Sequence, residues 1–163
     1  DGLKAAVAFG QLFYELLAGS TKETAISAAI DRLPVGTWGA AVLEQSLEIA
    51  ANASSVDDLT FALEREIADN VYCFPVSAPE TLAMICAHLA FASSRDQLIA
   101  GGILHSSRAE TMAPLIWSIA GVLFGGYEQI SKPLQGVSVR TLRGTNSEGI
   151  ITKLISQSKR SAS

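Results

Sequence analysis

The polar turn that precedes the most apolar segment of this chain contains the residues best suited to chemistry. Arg108, Glu110 and Thr111 stand where this turn runs into an apolar helix. A carboxylate and a hydroxyl are oxygen ligands of the kind that Mg²⁺ takes, so Glu110 is the candidate metal ligand, with Thr111 beside it. A guanidinium has no lone pair for a metal but pairs with phosphate oxygens, so Arg108 is a candidate contact for a diphosphate.

Each of these residues also has a purely structural interpretation. Arg108 is interpreted first as a solvated residue in the first helical turn, with the diphosphate contact as the alternative. Acidic side chains near a helix N-terminus are favoured by the helix dipole, which alone accounts for Glu110. His88 and His105 are interpreted as hydrogen-bonded core or boundary residues. No side chain is assigned a catalytic role.

The two cysteines do not indicate a disulfide framework or a metal site. Cys73 and Cys86 are too few for such a framework, so we expect inert thiols in a reduced, cytoplasmic setting. Cys86 and His88 are two residues apart, and on a helix such neighbours do not face each other, so no zinc site is expected.

Seven helices are predicted to position these residues, with starts near 2, 22, 37, 56, 79, 95 and 109. The first is amphipathic and is closed by Gly19, while Ser20 and Glu23 form a capping box for the second, which is predicted to end near Leu33. Ser77 begins the fifth helix, with a proline in the first turn. An extended loop is predicted for 70–76 and a last amphipathic segment for 150–155.

Composition predicts one helical domain over 1–163. The chain is 48% hydrophobic and 17% charged, with a net charge of −4 and no basic block, so nucleic acid is not an expected partner. The longest apolar run, 112–126, is too short for a membrane span. Because the segment 109–124 is apolar on nearly every face, we expect an all-α orthogonal bundle with this helix at its centre.

The run from Ser107 to Gly125 resembles, without a gap, the closing motif of the ADP-ribosylglycohydrolase family, usually written GDTDTxAAxAGAxAGAxYG. The order of helices agrees with that family over most of residues 1–126. The frame of the motif is held by Thr111, Ala113, Ala120, Gly121, Leu123, Phe124 and Gly125.

The resemblance implies a Mg²⁺-dependent hydrolase that cleaves the glycosidic bond between ADP-ribose and an acceptor. In the family both Asp residues of the DTD triplet are metal ligands, and here these positions are Arg108 and Glu110. The family's upstream Gly-Asp-Ala and Thr-Asp-Asp-Thr motifs do not occur in this chain. We therefore expect a C-terminal portion, without the N-terminal part of the fold, that is inactive alone.

Two hypotheses remain open from the sequence. The first is an ADP-ribosylglycohydrolase-like protein with ADP-ribose or a related nucleotide as ligand. The second is a catalytically dead helical module for binding or structure. In either case, a missing segment or self-association is expected to cover an exposed apolar patch formed by Phe9, Phe13 and Trp117.

Overall fold

The computed structural model describes residues 1–68, 77–105 and 108–125, all within the compact unit Asp1–Gly126. These residues form helices and short connections without a strand, which confirms the all-α prediction. No helix among them is long and apolar enough to cross a bilayer. The helices are α1 (Gly2–Leu17), α2 (Lys22–Ile30), α3 (Trp38–Asn52), α4 (Val56–Glu66), α5 (Ala78–Phe91), α6 (Arg95–Ile103) and α7 (Ala109–Phe124).

Local side-chain chemistry sets most of the helix ends. Gly19 follows α1 with a φ of 87°, as its role of terminating the helix requires. The predicted Ser20 cap is wrong, because Thr21 caps α2 and the Ser20 hydroxyl instead donates to Glu15. Helix α2 also ends earlier than predicted, at Ile30. The capping residues whose side chains accept a backbone N–H are Thr21, Thr37, Ser55, Ser77 and Ser94.

Helix α5 lies at the centre of the described bundle. Every residue from Pro79 to Leu89 is buried, and the helix contacts all six of the others, most extensively α3. The buried Ser46 of α3 fixes this pairing, with its Oγ 2.9 Å from the Ala83 carbonyl oxygen. At the far end, Lys22 donates to the Ala90 and Ala92 carbonyls, so a positive charge lies at the C-terminal end of α5.

The prediction that the helix 109–124 occupies the centre is wrong. Helix α7 buries only one face, and Trp117 on the opposite face is 41% exposed. The residues that α5 presents to its neighbours include Ala83 and Ala87, which are small enough for helices to approach closely from several sides. High apolarity of a segment therefore did not decide which helix is enclosed.

The predicted apolar patch is only partly present. Phe9 and Phe13 are half-buried and stack with ring centroids 6.2 Å apart, packed against the core. Trp117 is partly exposed, as expected, and Phe61 on α4 is 65% exposed. The more exposed apolar surface belongs to the outer face of α1.

The central position of α5 predicts a difference between two truncations. Met84→Ala on α5 should lower the free energy of unfolding by about 2–5 kcal/mol, because it leaves a cavity in the core. Trp117→Ala on α7 should cost clearly less, since its side chain is partly solvated. Urea denaturation followed by circular dichroism measures both. A larger loss for Trp117→Ala would contradict the central placement of α5.

Candidate functional site

The motif residue Arg108 is buried and forms an ion pair inside the bundle. It occupies the N-cap position of α7, and Glu80 lies in the first turn of α5. Both residues are 2% exposed, and Arg108 Nη2 lies 3.0 Å from Glu80 Oε2. The interpretation of Arg108 as a solvated residue is therefore wrong. Its long side chain crosses from one helix start to another and carries its charge into the core.

The Arg108 guanidinium is incompletely satisfied by the described residues. The contact with Glu80 is within ion-pair distance, but its angles do not make it a hydrogen bond. Arg108 Nε and Nη1 also lack a hydrogen-bond partner among the described residues. Because charge is costly to bury without close compensation, each member of this pair depends strongly on the other.

A second buried polar group runs from α4 through the turn after α6 to α5. Glu64 Oε1 lies 2.7 Å from His105 Nδ1, and His105 Nε2 lies 2.7 Å from His88 Nε2. His88 and His105 are almost fully buried, whereas the Glu64 side chain is 27% exposed. The prediction of hydrogen-bonded core histidines is confirmed, and the two rings prove to be partners.

The carboxylate at one end determines where the protons of this chain lie. A carboxylate only accepts, so His105 Nδ1 donates to Glu64, and His105 Nε2 then accepts from His88 Nε2. Burial lowers the pKa of His88 to about 3, with a further contribution from His105. Burial also lowers the pKa of His105, Glu64 opposes this effect, and the charge of Arg108 adds to it. Both rings are neutral at neutral pH, as this arrangement requires.

Gly101 makes room for the His88 ring. A Cβ atom built on Gly101 would lie 2.3 Å from His88 Nδ1, which is far inside contact distance. The next residue, Gly102, lets α6 approach α7, since a Cβ there would be 3.2 Å from the Ala113 Cα. Two glycines inside one helix are unfavourable for helix formation, and here they permit close packing on two sides.

The other two predicted site residues lie in different environments from Arg108. Glu110 is exposed in the first turn of α7. Thr111 is half-buried and lines a cavity of about 270 Å³ between α1, α5 and α7. Phe9 and Thr81 contribute to the same lining, which is otherwise aliphatic, and Arg108 does not. The motif residues therefore do not converge on one polar pocket.

The described residues do not fit the metal pair that the resemblance implies. No three His, Cys, Asp or Glu side chains of ranges 1–68, 77–105 and 108–125 are grouped closely enough to hold a metal ion. Arg108 has no lone pair to donate, and its charge repels a cation from Glu80. Glu110 and Thr111 supply one carboxylate and one hydroxyl, which is a weak donor set for Mg²⁺.

Comparison with known proteins found no relative of this chain. No family model, curated protein or solved structure matches the chain.

The remaining predictions concern the two cysteines, the loop 70–76 and the last amphipathic segment. Burial raises the pKa of the Cys86 thiol to about 12, in agreement with an inert cysteine. Cys73, the loop 70–76 and the segment 150–155 lie outside the described residues.

The roles of Glu64 and Glu80 were not identified from the sequence. Glu80 had a signal of its own, since a Glu three positions after a Ser at a helix start is the pattern of a capping box.

Buried pairing predicts that Arg108 and Glu80 are strongly coupled. Arg108→Met and Glu80→Met should each cost about 3–5 kcal/mol of unfolding free energy, because each leaves an uncompensated buried charge. The double variant should be much less destabilised than the sum of the two. Denaturant unfolding of all four proteins gives the coupling energy.

Arg65→Met provides the control for this cycle. Its guanidinium pairs with Glu66 at the surface and is 63% exposed, so the change should cost at most about 1 kcal/mol. Additive effects of the Arg108 and Glu80 substitutions would show that the two charges do not interact across the core.

The histidine pair predicts a loss of stability in mild acid. Since folding lowers the pKa of both rings, the unfolded chain, with histidine pKa values near ~6.5, binds more protons. Stability should be fully present above that pH and decline as the pH falls from ~6.5 towards ~5, by up to about 1.4 kcal/mol per pH unit from His88, whose folded pKa is about 3, with a contribution of the same sign from His105. Urea midpoints across this range measure the slope. Replacing His88 by Gln should reduce this slope, because the more strongly shifted group is removed, and an unchanged slope would contradict this origin.

Proposed function

We propose that this chain is a helical domain of the ADP-ribosylglycohydrolase type that has lost the metal-dependent hydrolytic centre and acts by binding. The all-helical architecture and the run from Ser107 to Gly125 support the relationship. We also propose that the helices form the orthogonal bundle of that family and that the ligand is ADP-ribose or a related nucleotide.

The burial of Arg108 in an ion pair is the observation that carries the proposal. In the resemblance, this position corresponds to the first Asp of the metal-binding triplet. Here its side chain is directed into the core, with Nη2 3.0 Å from Glu80 Oε2. The Glu80 carboxylate, which could otherwise bind a cation, is thereby paired with the Arg108 guanidinium. In this proposal, an ion pair inside the bundle replaces the metal ligand of the family. The start of α7 is then anchored by Glu80 and not by a metal ion.

The cavity beside Thr111 is the proposed ligand site. Its volume of about 270 Å³ suits the fused rings of one base, and its mainly apolar lining includes Phe9, Thr81 and Thr111. Among the described residues, no cationic side chain lines it. We therefore place the base of a nucleotide in this cavity and leave the diphosphate in solvent, so the phosphates should contribute little to affinity.

Hydrolysis and metal binding test the proposal. The full 163-residue chain, incubated with an ADP-ribosylated peptide and Mg²⁺, should release no ADP-ribose above the uncatalysed rate. Calorimetric titration with MgCl₂ should show no stoichiometric binding, and Glu110→Ala should not change the trace. Tight Mg²⁺ binding that disappears in Glu110→Ala, or Mg²⁺-dependent release, would overturn the loss of the hydrolytic centre.

Ligand binding is tested separately by thermal shift. Adenosine and ADP-ribose should raise the Tm to a similar extent, since only the base enters the cavity. Thr111→Met fills part of the cavity and should abolish both shifts, whereas Trp117→Met on the exposed face of α7 should preserve them. Failure of both ligands to shift the Tm of the unmodified chain would contradict the proposed ligand.

A further inference from the structure

Helix α1 has a second apolar face that the described bundle does not cover. Its buried face consists of Ala5, Ala8, Leu12 and Leu16. At 100° per residue, the opposite side of the helix carries another line of residues, here termed the outer stripe. Its large members are 52–81% exposed. The outer stripe consists of Leu3, Val7, Gly10, Tyr14 and Leu17.

The spacing of the outer stripe is that of a helix packed along another helix. Its members follow one another at intervals of four, three, four and three residues. The mean of 3.5 keeps the line on one side of a helix and is the period of coiled-coil contacts. Isolated exposed apolar residues are ordinary, but a continuous line at this period indicates a helical partner.

The stripe is also nearly symmetric about its centre. Leu3 and Leu17 are each seven residues from Gly10, while Val7 and Tyr14 are three and four residues from it. An antiparallel copy with its two-fold axis at Gly10 therefore places Leu3 against the partner's Leu17 and Val7 against the partner's Tyr14. A surface that matches its own reverse is what a two-fold symmetric interface requires.

Gly10 is suited to the crossing point. A Cβ atom at this position would have no heavy atom within 4 Å, so its side of the helix is open. Glycine inside an exposed helix reduces helix stability relative to alanine by roughly 0.5–1 kcal/mol. The absence of a side chain allows two backbones to approach at the axis, which gives this unfavourable residue a structural use.

The charges beside the stripe favour the antiparallel arrangement. Lys4 is exposed, and Lys4 and Glu15 lie on the same flank of the stripe near opposite ends of α1. Antiparallel pairing brings equal flanks together, so Lys4 approaches the partner's Glu15 at both ends of the interface. Parallel pairing would remove these opposite-charge contacts.

We propose that two copies of this chain associate through an antiparallel pairing of their α1 helices, centred on Gly10. The inference is independent of the proposed ligand and of the loss of hydrolysis. A helix of 16 residues is about 24 Å long, so one helix pair makes an interface below the usual ~1,600 Å². The dimer should accordingly be reversible, with a Kd on the order of micromolar.

Cysteine cross-linking tests the orientation. In a Cys73→Ser background, Gly10→Cys should form a disulfide with itself under mild oxidation, because the two-fold axis brings these positions together. Val7→Cys should not, since two copies of this residue are about 9 Å apart along the helices. Mixing Val7→Cys with Tyr14→Cys should restore the cross-link. Self-linking of Val7→Cys would indicate parallel packing and would overturn the proposal.

Sedimentation velocity of the unmodified chain over a range of concentrations tests association itself. Tyr14→Glu should raise the dimer Kd at least about tenfold, whereas Val35→Glu, at an apolar residue 99% exposed outside the stripe, should not change it. Lys4→Glu should weaken the dimer, and Lys4→Glu combined with Glu15→Lys should restore it. A chain that stays monomeric at hundreds of micromolar, or a dimer insensitive to Tyr14→Glu, would contradict the proposal.

Discussion

The enclosure of α5 on all sides is the constraint on which the rest of this bundle depends. A helix with no solvated face has to find protein partners for every polar group that it carries. Helix α5 brings Glu80 near its start and His88 near its end into that environment. The partners come from elements far apart in sequence, so satisfying α5 also joins those elements to one another.

The two polar groups have different physical characters. Arg108 and Glu80 form a charged pair, and the Arg108 guanidinium has no hydrogen-bond partner among the described residues. His88 and His105 are neutral, because burial lowers the pKa of both, and their chain ends at the partly solvated Glu64. The first group fixes the start of α7 relative to α5 by electrostatic attraction. The second fixes the turn after α6 by directional hydrogen bonds and tolerates burial better.

Local features of the fold were predictable from the sequence, and the spatial ones were not. Ser77 and Gly19 act within one helical turn, so their roles could be inferred from neighbouring residues. Whether α5 or the more apolar α7 is central depends on how many helices surround each, which no single segment reveals. The burial of Arg108 was missed for the same reason, since its partner Glu80 is on another helix.

The contact between Gly101 and His88 has a consequence for how such a sequence can change. The ring fills the space in which a side chain on Gly101 would lie, and its far nitrogen is bonded to His105. Replacing the glycine alone produces a collision, and replacing the histidine alone leaves a void and an unpaired neighbour. Each single substitution is therefore expected to be destabilising. The residues at positions 88, 101 and 105 should then change together, and not one at a time, in the evolution of this chain.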